Sequence, residues 1–283
     1  MKLMNKALAI GSAGILIVLV VFLALSAAAP ALSSTLSSLL AAASTPPPGD
    51  PIPLKPLTGV TSLTATAQIT VNGLINGKPV QGDLNADLAT NNQGKSQAKV
   101  TGGLLGEIAA QVGGSLVGLF TPSSVDIYKM PEGSYIVVNS LFPVCVKPKA
   151  SGDTQALDDM SPQNLMSMLT SSDVARGKFV GDETLNGAPV KHYVINGKAF
   201  LAAAKKSSNP KLKAFGDALW SADDADLYVD AKSGYPVAFH GSYSGTYQPL
   251  KFEGDFEVQI ALTGVNTNPA INLPASCSKP ITP

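Results

Sequence analysis

Arginine is nearly absent: Arg176 stands alone, and the 20 bases of this 283-residue chain otherwise come from lysine. They balance 20 acids, and the part of the chain beyond Lys6 carries a net charge of −2. With no basic stripe to neutralise phosphates, a nucleic-acid partner is excluded. Histidine is almost as scarce, and His192 and His240 each fall inside a strand-like stretch. The sequence GSYSG at 241–245 puts tyrosine where a nucleophile elbow needs serine. Asp223, Asp224 and Asp226 lack the spaced oxygen ligands and glycine of a calcium loop. Cys145 and Cys277 belong to no CxxC pair and neither neighbours a histidine, so thiol redox chemistry and zinc have no support. No glycine-rich phosphate loop follows a strand. The inventory predicts a protein that is not an enzyme and takes no metal or cofactor.

What the chain does have begins with a charge-free run from Ala7 to Ala29, preceded by Lys2 and Lys6. As a helix it would be about 34 Å long, against a hydrocarbon core of about 30 Å. The flanking lysines favour a cytoplasmic N-terminus with the rest of the chain exported. A cleaved signal peptide competes with an uncleaved anchor, because small residues at 26–29 resemble a processing site, although the apolar run is long for one. Ser, Thr, Ala and Pro dominate from Pro30 to Pro56, a composition that forms a spacer and not a core. The expected organisation is a membrane anchor or signal sequence at 1–29, a linker at 30–56, and an extracytoplasmic domain at 57–283. In an exported chain the two cysteines are expected to pair, two buried thiols being the alternative.

Strand patterns fill the domain. Leu63, Ala65, Ala67, Ile69 and Val71 alternate with polar residues, and Asn76-Gly77 then supplies a hairpin turn. The return strand alternates from Val80 to Leu88. NGAPV at 186–190 echoes NGKPV at 76–80, the same turn chemistry used twice. Later hairpins pair Ala225–Asp230 with Tyr235–Tyr243, and Tyr247–Phe252 with Asp255–Leu262. About ten antiparallel strands result. Helical patterns interrupt them after Ser161-Pro162, where Leu165, Met168 and Leu169 share a face, and at Gly197–Lys206 and Pro210–Trp220. In the last of these Leu212, Phe215 and Leu219 form an apolar stripe. Meanders with inserted helices predict an α+β domain with a curved antiparallel sheet.

The stretch GLLGEIAAQVGGSLVGLF at 103–120 has small residues at every fourth position, Gly106, Ala110, Gly114 and Gly118, with Gly102 just before it. On a helix these make a flat ridge flanked by Leu105, Ile108, Val112, Leu116 and Leu119. Core packing, cavity lining and membrane contact are the three readings of that ridge.

Three stretches, VGDETLNGAPVKHY (180–193), ADLYVDAKSGYPVAF (225–239) and SSVDIYKMPEGSYIVV (123–138), together resemble the LolA/LppX-like lipoprotein and lipid carriers. The resemblance implies a half-open β-barrel with helices across its concave side and acyl chains held between them. No lipobox cysteine stands near the N-terminus, so the Ala7–Ala29 helix is expected to do the tethering, with the domain outside the cytoplasm. The expected function is a membrane-tethered extracytoplasmic binding protein for lipid or another long apolar ligand. Its cavity would be lined by Leu105, Ile108, Val112, Leu116, Leu119, Leu165, Met168, Phe200 and Phe215. The alternative is an envelope protein-interaction or sensory module without a small-molecule ligand. A lipid role needs no catalytic fingerprint, since each buried CH₂ contributes about 0.8 kcal/mol.

Overall fold

The computed structural model describes residues 49–57, 59–106, 122–148, 170, 174–206, 210–248 and 251–282. Within them, thirteen strands form one sheet: β1 (Asp50–Pro51), β2 (Leu63–Ile75), β3 (Lys78–Thr90), β4 (Ser96–Thr101), β5 (Ser124–Met130), β6 (Gly133–Asn139), β7 (Val144–Val146), β8 (Arg176–Leu185), β9 (Ala188–Asn196), β10 (Leu219–Ala222), β11 (Asp224–Asp230), β12 (Pro236–Tyr247) and β13 (Phe252–Val265). The spatial order is β1-β8-β9-β11-β12-β13-β2-β3-β4-β5-β6-β7, with β10 pairing the far end of β12. Two meanders, β2–β7 and β8–β13, are thus joined where β13 lies antiparallel to β2, from Val265 opposite Leu63 to Phe252 opposite Ile75. The two NG turns open the two meanders. Asn76 and Asn186 both have φ of 52°, with Gly77 and Gly187 at 75° and 80°, the positive pair that a right-twisted two-residue hairpin requires.

Period-two alternation sets the faces. On β13, Phe252, Phe256, Val258 and Ile260 are buried while Glu253, Asp255, Glu257 and Gln259 are exposed. One continuous apolar cluster takes residues from β2–β6, β9 and β11–β13, together with α1 (Gly197–Lys205) and α2 (Pro210–Gly216). Asn196 caps α1, its side chain accepting from the Lys198 N–H at 2.9 Å. The helix lays Ala199, Phe200, Ala203 and Ala204 onto the sheet. α2 follows closely: a Cβ at Gly216 would strike the α1 backbone at Lys205 and Leu201. Among the described residues the architecture is a largely antiparallel sheet with few helices, and α1 and α2 lie on its apolar face.

At the β7 end the sheet is buried on both sides. Tyr128, Met130, Tyr135 and Val137 form a second cluster with Ile271 and the bonded pair Cys145–Cys277, whose Cα atoms are 5.1 Å apart. Cys277 lies in a short 3-10 turn, Ala275–Ser278, not in a final strand, and the tail beyond it bonds to β7 through Ile281 N–H to Cys145 O at 2.9 Å.

Three expectations are corrected. The helix expected at Pro210–Trp220 ends at Gly216, and Leu219 starts strand β10 with 77% of its surface exposed, so the Phe215/Leu219 stripe does not exist. The pairing of Trp220 with Gly245 across to β12 outweighs the helical pattern. The last hairpin turns at Gln248–Lys251, where Lys251 N–H donates to Gln248 O at 3.0 Å and Lys251 has φ of 47°. Gly254 lies inside a strand there. Lastly, the stretch expected as linker joins the fold from Asp50 onward: β1 pairs with β8, and Ile52 is buried in the main cluster. The helix expected after Ser161-Pro162 and the Ala7–Ala29 run lie outside the described residues.

Candidate functional site

The apolar face is richest where β12 and β13 run side by side. Phe239, Gly241, Tyr243, Gly245 and Tyr247 point one way along β12, opposite Ile260, Val258, Phe256, Gly254 and Phe252 on β13. Tyr243 stacks on Phe256 with ring centroids 4.9 Å apart, and Trp220 meets Phe256 edge-on at 4.9 Å. Phe200 of α1 stacks on Phe239 at 5.0 Å, and Phe215 of α2 packs against Phe256 at 5.6 Å. Such pairs each add about 0.5–1.5 kcal/mol beyond burial.

A row of glycines crosses this region. Gly245 pairs with Gly254, and Gly254 with Gly73 on β2. Gly245 and Gly254 have φ of 155° and 152°, and a Cβ on any of the three would collide with backbone carbonyl oxygens. Side chains are therefore excluded from the row, where the strand backbones approach one another closely.

Tyr243 and Tyr247 stand on either side of Gly245. They are 2% and 1% exposed, yet neither hydroxyl has a hydrogen-bond partner among the described residues. Burial pushes both phenols above their ordinary pKa, so they are neutral donors. Trp220 differs: its indole N–H donates to Phe215 O at 3.0 Å.

Of the residues expected to line a cavity, Leu105, Phe200 and Phe215 are all buried in the main cluster. Leu105 sits in the helical turn at 103–106 beside Leu104, which packs over Gly82. Ile108, Val112, Leu116, Leu119, Leu165 and Met168 lie outside the described residues. Sequence reasoning passed over Tyr243, Tyr247, Trp220 and Phe256. The signal was there: Phe239, Tyr243 and Tyr247 recur at intervals of four, which on a strand keeps them on one face.

The opposite face is polar. His192 places Nδ1 at 2.7 Å from Glu183 Oε1 and Nε2 at 2.8 Å from Asp226 Oδ1, and its ring stacks on Tyr228. His240 Nδ1 is 3.6 Å from the other Asp226 oxygen. Burial pulls the His192 pKa down, but the hydrogen bonds to Asp226 and Glu183 outweigh it and hold the imidazole above its ordinary value. No hydroxyl or thiol nucleophile joins this group among the described contacts, and no cluster there is arranged to hold a metal ion. At the β6–β7 loop Leu141 and Phe142 are 86% and 77% exposed.

No family model matches the chain, and no curated protein matches it either. Solved structures overlap it weakly, as three of them illustrate. A putative outer membrane lipoprotein-sorting protein domain from Vibrio parahaemolyticus shares 7% identity over 75% of this chain and 88% of its own, with a TM-score of 0.23. A DUF1329 family protein from Desulfovibrio piger shares 7% over 76% and 89%, with a TM-score of 0.25. PNGF-II shares 9% over 77% and 30%, with a TM-score of 0.21. Overlaps this low carry neither fold nor function across.

Proposed function

We propose that this chain is a membrane-tethered, extracytoplasmic binding protein that holds a lipid or another long apolar ligand against the inner face of its sheet, tethered through Ala7–Ala29. The observation that carries the reading is the apolar face itself, unbroken from β6 through β2 and β13 to β9. The half-open trough that the sequence resemblance implies would hold the ligand between this face and the helices α1 and α2. An acyl chain of sixteen carbons would gain roughly 13 kcal/mol gross on leaving water, so affinity needs few polar contacts. The role is binding and not catalysis. The Cys145–Cys277 bond accords with a domain outside the cytoplasm.

Native mass spectrometry of the full chain, released from detergent, tests the proposal. Added mass matching bound acyl species is expected. A clean unliganded mass, with no uptake of offered dipalmitoylglycerol, would reject it.

A second reading rests on Leu141 and Phe142, whose exposure at a loop tip suits docking of an envelope protein. Serine at both positions should then abolish partner crosslinking through that loop while lipid occupancy is unchanged.

A further inference from the structure

We infer that Tyr243 and Tyr247 are specificity-determining donors, each giving its phenol hydrogen to a neutral carbonyl oxygen carried within the apolar part of the bound ligand. This rests on the lipid-binding reading and deepens it, by separating chains that carry ester or amide carbonyls from bare hydrocarbon or ether chains.

The first ground is that packing accounts for the rings but not for the hydroxyls. Both side chains are almost wholly buried, and both oxygens lack partners among the described residues. Leaving a buried donor unpaired is costly, and phenylalanine would fill nearly the same volume without that cost. Elsewhere in the same aromatic assembly the fold does satisfy its donor, since Trp220 N–H reaches Phe215 O at 3.0 Å. Two phenols on one face, separated only by Gly245 and unpaired among the described residues, are therefore placed to donate to an acceptor that a ligand brings.

The second ground is the character of that acceptor. Among the described residues the buried polar side chains are Ser62, Thr90, Asn91 and Ser124, and no lysine, arginine or histidine is buried. A carboxylate or phosphate brought to these phenols would lose its water with no counter-charge to replace it. A neutral carbonyl loses far less and accepts a hydrogen bond well. Four residues along a strand span about 13 Å, too far for one oxygen to serve both phenols, so the ligand presents more than one.

The test offers the full chain, in detergent, a matched pair of lipids at equal concentration: dipalmitoylglycerol, with two ester carbonyls, and dihexadecylglycerol, its diether counterpart. Native mass spectrometry reads the ratio bound. The wild-type chain is expected to favour the diester by about fivefold for each engaged phenol. Y243F/Y247F should bind the diether as before and show no preference, and the lipid-free variant should melt no lower than wild type. Equal binding of the two lipids by the wild type would overturn the inference and leave lipid binding standing. So would a preference that survives in the double variant. A lower melting temperature in the lipid-free variant would place the hydroxyls in structural pairs with ordered water, and also overturn it. Binding of neither lipid would bring down the lipid reading and this one together.

Discussion

The phenol oxygen of Tyr243 lies over Gly241, so close that a Cβ at 241 would come within 2.9 Å of it and 3.0 Å of Phe239 Cζ. The two residues sit two apart on the same face of β12, and the ring leans back along its own strand into the space that glycine leaves. Gly241→Ala is expected to destabilise the fold by about 1–3 kcal/mol, since overpacking forces buried rings off their rotamers. Adding Tyr243→Phe removes the nearest atom and should recover part of that loss. Denaturant titration of the double-mutant cycle checks it, and strictly additive effects would contradict the contact.

The Cys145–Cys277 bond closes a loop of sequence separation 132 and ties the 3-10 turn to β7. Replacing both cysteines by serine should lower stability by about 2–5 kcal/mol. Because the bond belongs to the second cluster, hydrogen exchange should accelerate first in β6 and β7. An unaltered melting temperature would count against a stabilising role.

His192 makes stability depend on pH with a definite sign. Its folded pKa is raised, so its contribution is fully present below the unfolded value near 6.5 and disappears as pH rises through the folded value. Glu183 and Asp226 bond to it, the Tyr228 ring stacks on it, and His240 lies against the other oxygen of Asp226. The melting temperature should fall across that interval in the wild type. In His192→Gln the fall should be smaller, and identical slopes would refute the assignment.

Asp230 has the opposite sign. Its carboxylate accepts from the Ser233 hydroxyl and N–H, both at 2.6 Å, and from the Lys232 N–H, which hold its pKa below the ordinary value. Its contribution is present above the unfolded value near 3.8 and is lost as pH falls through the folded one. Asp230→Ala should therefore weaken the β11–β12 turn at neutral pH and flatten the acid limb of a thermal titration.

The hairpins were legible because their signals are local. Asn76-Gly77 and Asn186-Gly187 announce their turns, and the alternation from Leu63 to Leu88 fixes which side is buried. Leu219 and Trp220 misled because their helical spacing is real but loses to non-local pairing: Trp220 lies opposite Gly245 and stacks among the aromatic rings. Gly254 reads as a turn in sequence, yet it lies inside β13, packed close against its partner Gly73, 181 positions earlier in the chain, which no local signal reveals. The buried tyrosines were visible as a pattern, whereas their missing partners are a property of the packed face alone.

The contact between β13 and β2 also dictates an order of events during synthesis. β2 leaves the ribosome early and pairs with β3, but its other side must wait for the last strand of the sheet to emerge. Through that delay a thirteen-residue row of amides and carbonyls stays open to any passing strand. Closing it requires a long-range encounter of the slow kind. The nascent protein is thus most vulnerable to aggregation while its first half is complete and its second is not.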